Sequence, residues 1–430
     1  MVKKKDPPGL KLRIAASERL AAVLKGANFA PFSVAELPDG RDRGLANRLV
    51  TTALRRHGHL NIAIRRYLER GIPKKSGNFE ALLRLSLTQL LFLPDLGDHS
   101  ALFLAVEATR RDTRMAHLGK LMNAVLRRAQ ADAEDLRNLP LAELFPDDLR
   151  RTWQKAYGEE AIDGLAAALL DGAPLDLTLR DTDPELIAAL GAVPILADTV
   201  RIAERDRTVE ALPGYAEGRW WVQDAAAAIP ARLFDLPPGA RVLDLCAAPG
   251  GKTAQLVKAG YRVTALDIDP DRLARVKDNL DRLGYTAELV AADATTWQPT
   301  EKFDGILIDA PCSATGTLRR HPEVVWHRQQ ADISGRSAIQ KRFIASASQW
   351  LTEGGVMIYS VCSLEPHEGE GHLKDFETNG LTPMPITPAE LPELPVITAK
   401  GCVRTRPGIA VPGDNTGTLD GFFVARFRRG

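Results

Sequence analysis

The architecture of this chain can be worked out from one stretch, Val242-Leu-Asp-Leu-Cys-Ala-Ala-Pro-Gly-Gly-Lys-Thr253. It starts as an apolar run of strand type, passes through the turn signal Pro-Gly-Gly, and can open a helix after it. Further apolar runs that suit buried strands follow, separated by helical segments. This alternation predicts an α/β fold after residue 225, with a parallel sheet and helices on both faces. The predicted strands are residues 241–245, 262–266, 287–291, 305–308, 356–360 and 422–427.

One helix of this unit is defined at both ends by its residue types. Asp269 can accept hydrogen bonds from the free N–H groups of a helix start, and Gly284 suits the left-handed residue that follows a helix end. We therefore predict an amphipathic helix over residues 270–284. The apolar residues on its inward face are Leu273, Val276, Leu280 and Leu283.

Length and composition limit the class of protein. With 430 residues the chain is too long for one ordinary domain, so two or three globular units are expected. A content of 45% hydrophobic and 26% charged residues is ordinary for globular proteins and excludes a wholly disordered chain. No run approaches the ~20 apolar residues of a spanning helix, and the start has no apolar core of a secretory signal. We therefore expect a cytoplasmic protein with no membrane partner.

The net charge of +1 is divided unevenly along the chain. Residues 1–130 contain 24 Lys and Arg against 11 Asp and Glu, a net charge of +13, which leaves −12 for residues 131–430. A basic head suits a protein that holds a polyanion, because each neutralised phosphate releases counterions. A solvated basic face without a partner is an equally good explanation of the charge alone.

Three parts can be distinguished by pattern. Residues 1–140 read as an α bundle, with helical spacing of apolar residues over 48–71, 80–93, 100–109 and 120–130. The leucine-rich stretch at 80–93 is expected to be a buried helix at the centre of this bundle. Residues 141–225 read as a small α+β connector, with a helix at 161–170 and a strand at 175–180. Residues 226–430 form the α/β unit.

The glycine turn at residues 246–253 indicates the kind of ligand. Such a turn exposes backbone N–H groups at a helix start, where doubly wound sheets bind nucleotides. A phosphate-binding loop of the type G-x-x-x-x-G-K-[ST] would need glycine at position 246, where this chain has Cys246. The dinucleotide pattern G-x-G-x-x-G is also absent. A nucleoside without a pyrophosphate remains, and S-adenosylmethionine is the common one.

Acids after the next two strands support a nucleoside site. Asp267 ends the second strand, 23 residues after Asp244, where ribose hydroxyls are usually held. Asp269 has a sufficient role as a helix cap. Asp293 follows the third strand and is expected to meet the adenine edge.

Two of the four cysteines follow the ends of the fourth and fifth predicted strands. Cys312 stands in Asp309-Ala-Pro-Cys-Ser313, and Cys362 in Tyr359-Ser-Val-Cys-Ser363. Both strand ends face the cofactor crevice, so the two thiols are expected to converge there. Without the rest of the chain, two small buried residues filling the core would be the better explanation.

Methylation of carbon 5 of a pyrimidine would give both thiols a role. That carbon is too weakly nucleophilic to attack a methylsulfonium until a thiolate adds at carbon 6. After transfer, the proton on carbon 5 must be removed and the thiol expelled, which requires a second group beside the nucleophile. An acid near ring nitrogen 3 would stabilise the adduct, and Asp309 is suitably placed.

Together these motifs resemble the Sun (RsmB) family of RNA cytosine-C5 methyltransferases. The resemblance covers nearly the whole chain and is weakest over residues 131–225. It implies a NusB-like all-α RNA-binding domain at 1–140 and a Rossmann-like class I S-adenosylmethionine-dependent methyltransferase domain at 226–430. The NusB-like head points to the branch that acts on small-subunit ribosomal RNA. The motifs are Cys246–Thr253, Leu266–Asp269, Asp309–Gly316, Arg319–Glu323 with Trp326, Cys362-Ser363 and Asp420–Phe423.

The resemblance also implies roles for individual residues. Cys362 is the nucleophile at carbon 6, and Cys312 assists release of the methylated product, with Asp309 beside them. Val361 precedes the nucleophile where relatives often have threonine. The cofactor is implied to lie against Cys246, Ala247, Ala248, Pro249, Gly250, Gly251, Lys252, Asp267, Asp293 and Asp309.

Other polar residues receive weaker assignments. The histidines have no zinc spacing, so no metal is expected. Cys402 stands in no motif and is expected to be structural. Charge reversal of Arg320 is expected to weaken RNA binding, because the basic residues after the Pro-Cys element are expected to contact phosphates. These are Arg319, Arg320, His321 and Arg328.

Three other functions stay open from sequence. The same chemistry could act on transfer RNA, although the head favours ribosomal RNA. A non-catalytic RNA-binding assembly factor could keep this fold as a scaffold, although the nucleophile and the glycine turn are both present. A small-molecule methyltransferase would leave the basic head without a purpose. A monomer is the default expectation.

Overall fold

The computed structural model describes residues 6–202, 208–328, 330–392, 394–411 and 418–430. The chain divides into two compact units, Met1–Gln154 with His321–His327 and Lys155–Arg320 with Arg328–Gly430. The helices are α1 (Leu10–Leu24), α2 (Gly40–Arg55), α3 (His57–Tyr67), α4 (Phe79–Phe92), α5 (Asp98–Arg111), α6 (Gly119–Ala131), α7 (Ala133–Arg137), α8 (Asp147–Tyr157), α9 (Glu159–Asp171), α10 (Pro184–Ala189), α11 (Ile229–Arg232), α12 (Gly251–Lys258), α13 (Pro270–Leu283), α14 (Val324–His327), α15 (Gln330–Trp350) and α16 (Leu373–Thr378). The strands are β1 (Leu175–Leu179), β2 (Val193–Leu196), β3 (Thr199–Ile202), β4 (Trp220–Val222), β5 (Arg241–Leu245), β6 (Arg262–Asp267), β7 (Glu288–Ala291), β8 (Phe303–Asp309), β9 (Leu351–Val361), β10 (Leu381–Pro383), β11 (Val403–Arg404) and β12 (Phe423–Arg429).

The first unit is an all-α bundle arranged around α4. Within α4 only Glu80 and Phe92 are not buried. The helix packs against α1, α2, α5, α6 and α7. A helix that is buried on all sides lies at the centre of its bundle, so the central helix predicted over residues 80–93 is confirmed as α4.

The single helix predicted over residues 48–71 is in fact two helices, α2 and α3. The chain turns at Arg56, and α3 then passes close to the backbone of residues 141–144. A Cβ atom on Gly58 would lie 1.9 Å from the carbonyl oxygen of Glu143, so this approach requires glycine. Periodicity misses the turn because both helices carry apolar residues at the same spacing.

The smaller sheet of the second unit is antiparallel, with strand order β2-β3-β1-β4. The helix and the strand predicted in the connector are confirmed as α9 and β1. Both elements belong to the second compact unit, which begins at Lys155. The division into three domains at residues 140 and 225 stays a prediction.

The larger sheet has eight strands in the order β10-β12-β9-β8-β5-β6-β7, with β11 beside β12. Strands β5 to β9 are parallel to their neighbours among themselves, which confirms the predicted α/β fold. Alternate residues face opposite cores, as Val242 and Leu243 do. The last strands differ from the prediction, because β12 runs antiparallel to β9, and β10 and β11 run antiparallel to β12.

The register of the parallel strands aligns their carboxyl ends. Leu245 at the end of β5 pairs with Leu266 of β6 and Ile308 of β8. The loops after these strands therefore leave from one edge of the sheet. From β5 the chain continues to β6 on one side, while β8 lies on the other, and ligands of open α/β sheets bind at such a switch point.

Helix α13 forms as predicted. The Asp269 side chain accepts hydrogen bonds from the backbone N–H groups of Asp271 (2.9 Å) and Arg272 (3.3 Å), and Gly284 follows the last turn with φ 69°. Across the described ranges, no helix is both long and apolar enough to cross a membrane.

Replacing Asp269 by alanine is expected to lower the free energy of unfolding of the second unit by about 1 kcal/mol, because two backbone N–H groups lose their acceptor. Urea unfolding followed by tryptophan fluorescence measures this loss. The matched control is Asp278→Ala, which removes an exposed acid from the middle of the same helix. An equal loss in both variants would contradict the capping role.

Candidate active site

The turn after β5 is held in a conformation that few residues adopt. Cys246 has φ 65° and Gly250 has φ 100°. A Cβ atom on Gly250 would lie 3.0 Å from a methyl group of Val276, so glycine serves both the backbone and the packing there. The N–H groups of Cys246 and Ala247 donate to the carbonyl of Leu266 at 2.8 and 3.1 Å. These bonds fix the turn against the end of β6.

A cavity of about 360 Å³ opens beside this turn. It is lined by eight of the predicted site residues, which therefore share one site. The predicted residues Ala247, Gly250, Gly251 and Lys252 do not line it. The predicted residues that do are Cys246, Ala248, Pro249, Asp267, Asp293, Asp309, Cys312 and Cys362.

The cavity residues that were not among the predicted site residues include Ile268, Arg272 and Phe343. Ile268 is 66% exposed directly after the predicted ribose acid, and so presents an apolar surface to a flat ring. Arg272 donates to the carbonyl of Ala248 at 2.9 Å and holds the turn from the side of α13. The sequence signal available for Ile268 was an isoleucine between two aspartates in Leu266-Asp-Ile-Asp269.

Asp267 and Asp293 have different surroundings. Asp267 is 2% exposed and accepts backbone N–H bonds from Ala248 (3.2 Å) and Asp269 (3.1 Å). Asp293 is exposed and accepts from the N–H and hydroxyl of Thr295, both at 2.8 Å. The backbone hydrogen bond from Thr295 lowers the pKa of Asp293. Two oriented carboxylates and an apolar side chain around this cavity fit the hydroxyls and ring of a nucleoside.

Asp309, at the end of β8, is held from two sides. Lys252 Nζ lies 2.7 Å from Asp309 Oδ2, and the hydroxyl of Ser360 donates to Oδ1 at 3.0 Å. Burial lowers the pKa of Lys252, but the Asp309 carboxylate outweighs it and the net shift is upward. Lys252 is therefore the partner of an acid in the cavity wall and orients it.

The two predicted thiols meet. Cys312 Sγ lies 3.4 Å from Cys362 Sγ, and both cysteines are free. Cys312 is buried, whereas Cys362 is partly exposed. The hydrogen bond to Cys362 and burial together raise the pKa of Cys312. The pair can thus supply one accessible sulfur and one sheltered sulfur that keeps its proton.

Arg319 is buried, so the phosphate contact predicted for it is wrong, whereas the Arg320 side chain is 25% exposed and its predicted phosphate contact stays a prediction. Arg319 is 1% exposed and donates to Asp420 Oδ1 at 2.8 Å and to Asp224 Oδ2 at 2.9 Å. Arg320 contacts the same two carboxylates at 3.0 and 2.6 Å. Two adjacent positive charges are tolerated here because each guanidinium forms ion pairs with two carboxylates.

The remaining predicted residues are separate from this cluster. His321 is half exposed, and Arg328 Nε donates to the carbonyl of Ser313 at 2.9 Å. Cys402 is buried away from the cavity lining, and burial raises its pKa. In the portion of the chain that the structure describes, no group of three or more His, Cys, Asp or Glu residues could hold a metal ion.

A parallel sheet with a glycine turn, a following acid and a nucleoside-sized cavity at the switch point defines a Rossmann-like S-adenosylmethionine-dependent methyltransferase. The family model described as 16S rRNA methyltransferase RsmB/F matches residues 231–428, and the NusB family model matches residues 12–131. The chain is 36% identical over 394 residues to ribosomal RNA small subunit methyltransferase B of Xanthomonas campestris pv. campestris, covering 86% of this chain and 88% of that protein. The protein of the same name from Pseudomonas putida is 37% identical over 391 residues, covering 85% and 88%. This chain therefore belongs to the RsmB/F family of methyltransferases.

Solved structures agree on the fold. The crystal structure of PH0851 matches 99% of this chain and 100% of its own, with a TM-score of 0.78 at 21% identity. A methyltransferase homolog protein from Pyrococcus horikoshii matches 66% of this chain and 96% of its own, with a TM-score of 0.56 at 27% identity. At 21% identity, the likeness to PH0851 shows a shared fold and nothing more.

Arg320→Glu is expected to destabilise the second unit by about 3 kcal/mol, because a third carboxylate would join Asp224 and Asp420 in a largely buried cluster. Thermal unfolding measures this loss. The control is Arg275→Glu, a charge reversal at an exposed position of α13. If Arg320→Glu melts like the control and instead changes the salt dependence of RNA binding, the arginine is a phosphate contact after all.

The buried acid Asp244 is expected to make the stability of the fold depend on pH. Burial raises its pKa from 3.8 to about 7, against the hydrogen bond from Thr253. Between these values the folded state holds a proton that the unfolded state lacks, so stability falls as pH rises through this window. Asp244→Asn is expected to flatten the decline of the melting temperature between about pH 5 and pH 8. The exposed variant Asp278→Asn should follow the parent, and parallel curves for all three proteins would contradict the assignment.

Proposed function

We propose that this protein transfers a methyl group from S-adenosylmethionine to carbon 5 of a cytidine in 16S ribosomal RNA, through a covalent bond between Cys362 and carbon 6. The observation that carries the proposal is the 3.4 Å separation of the Cys312 and Cys362 sulfurs at a cavity that also contains Asp309. Two free thiols in contact at a cavity suit a reaction that uses two sulfurs, and pyrimidine carbon 5 methylation is such a reaction.

The difference in exposure supports different roles for the two sulfurs. Cys362 is the more accessible thiol, so its thiolate adds to carbon 6 and places electron density on carbon 5. S-adenosylmethionine supplies the methyl group when bound. Once Cys362 is bonded to carbon 6, its sulfur no longer acts as an anionic hydrogen-bond partner of Cys312. The Cys312 thiol then gives its proton to solvent, its thiolate takes the proton from carbon 5, and the electron pair left behind forms the carbon 5–carbon 6 double bond and expels the Cys362 thiolate.

Asp309 and its partners act on the base. The carboxylate lines the cavity next to both cysteines and is oriented by Lys252 and Ser360. Such an acid can hold a proton or hydrogen bond at ring nitrogen 3, where negative charge develops as the thiolate adds. Lys252 lies outside the cavity lining and acts by fixing Asp309.

The substrate assignment rests on the relatives and on charge. The relatives at 36% and 37% identity are named ribosomal RNA small subunit methyltransferase B. The NusB-type head carries the excess of positive charge that a polyanion requires. Transfer RNA with the same chemistry is the second candidate, since its charge would suit the head equally. Insertion of the base into the cavity requires it to leave its stack.

Trapping the covalent complex tests this function. Cys312→Ala, incubated with S-adenosylmethionine and unmodified 16S ribosomal RNA, is expected to give a slow RNA-dependent band on a denaturing gel. Cys362→Ala and the double variant are expected to give none, and Cys362→Ala should lose methyl transfer by at least about 1,000-fold. Cys402→Ala is the matched control, because it removes a buried thiol that does not line the cavity.

The alternatives are separated by the same gel. A band that forms only with transfer RNA would move the substrate to that class. Absence of a band together with absence of methyl transfer by the wild-type protein to any RNA tested would overturn the two-cysteine mechanism and favour a scaffold role.

A further inference from the structure

A buried carboxylate lies under the two cysteine loops. Glu368 is six residues beyond Cys362 in the sequence and is fully buried. It does not line the cavity, and the mechanism above does not use it. A buried acid this close to a reactive pair needs a physical explanation, because removing a charge from water is costly.

Glu368 binds the residue that follows each cysteine. Its carboxylate accepts from the backbone N–H of Ser313 at 2.9 Å and from the Ser313 hydroxyl at 2.6 Å. The hydroxyl of Ser363 donates to the same carboxylate at 2.5 Å. The two serine hydroxyls are also 3.0 Å apart. One side chain therefore joins the loop after β8 to the loop after β9, one residue beyond each sulfur.

Further hydrogen bonds hold this carboxylate in place. Gln340 of α15 donates to Glu368 at 3.3 Å and to the carbonyl of Pro311 at 3.0 Å. The hydroxyl of Tyr359 in β9 donates to the backbone carbonyl of Glu368 at 2.7 Å. Hydrogen bonds thus link β9 to Glu368 and Glu368 to α15.

The hydrogen bonds that Glu368 accepts come from uncharged groups. Within the described part of the chain these groups are a backbone N–H, two hydroxyls and an amide. Hydrogen bonds to a carboxylate are roughly twice as strong as neutral ones, so this arrangement resists displacement of either loop.

We propose that Glu368 is a positioning residue that fixes both cysteine loops in the geometry that brings the Cys312 and Cys362 sulfurs together. This inference rests on the proposed function for its consequence in catalysis. The effect of Glu368 on the approach of the two sulfurs can be measured without any RNA.

The test uses the rate at which diamide links the two cysteines. Diamide accepts two electrons and two protons from a pair of thiols, which leaves a disulfide and a hydrazine. In Glu368→Ala and Glu368→Asp the side chain can no longer reach both serines. We expect cross-linking of residues 312 and 362, quantified by peptide mass spectrometry, to slow by about tenfold or more in both variants. Single-turnover methyl transfer should fall by about 100-fold with an unchanged KM for S-adenosylmethionine.

Two further variants separate positioning from stability. Glu368→Gln keeps the length and the acceptor oxygen and should restore cross-linking to within about threefold of the wild type. Asp375→Asn is the matched control. Asp375 contacts His372 at 2.9 Å, and His372 in turn lies 2.8 Å from Gln340, so Asp375 is linked to Glu368 only indirectly and touches neither serine. Melting temperatures are measured for every variant. Should Glu368→Ala fail to fold, Glu368→Asp and Glu368→Gln decide the question.

The outcomes are distinct. Cross-linking at the wild-type rate in folded Glu368→Asp overturns the proposal, even if the melting temperature is lower. Slower cross-linking with rescue by Gln supports it. If the wild-type protein cross-links rapidly but methylates no RNA, the proposed function fails while the positioning role of Glu368 stands on the diamide result.

Discussion

The parallel register of β8 and β9 is the constraint on which the site depends. Asp309 pairs with Ser360 across the two strands, so the loops that follow leave the sheet side by side. Cys312 and Cys362, 50 residues apart in the chain, are thereby brought to a sulfur separation of 3.4 Å. The same pairing lets the Ser360 hydroxyl bind Asp309. A one-residue slip would turn every side chain of the slipped strand to the opposite face and separate the acid from its serine.

Buried charge holds the parts of the second unit to one another. Asp224 lies before β5, Arg319 and Arg320 follow β8, and Asp420 precedes β12. Their mutual ion pairs join three distant segments around the loop that carries Cys312. Pairing of this kind explains why two adjacent arginines in a nucleic-acid enzyme need not contact phosphate, since each guanidinium is committed to carboxylates inside the protein.

Sequence patterns predicted the strands of the parallel sheet, the capped helix α13 and the central helix α4, because each depends on local spacing and on end residues. They missed the break at Arg56, which depends on the approach of Gly58 to Glu143. They also missed the antiparallel direction of β12 and the burial of Arg319. Each of these depends on what a segment meets across the fold, and residue spacing contains no such information.

Local chemistry was therefore enough to predict the α/β class, the glycine turn, the acids at the strand ends and the convergence of the two cysteines, because these features follow from backbone preferences and residue types at strand ends. Tertiary structure alone decided which charged residues are available and which are buried. It placed Arg319 and Arg320 among carboxylates, and it placed Glu368 beneath Ser313 and Ser363. The physical reason is that desolvation and hydrogen bonding depend on neighbours in space, which the order of residues along the chain does not specify.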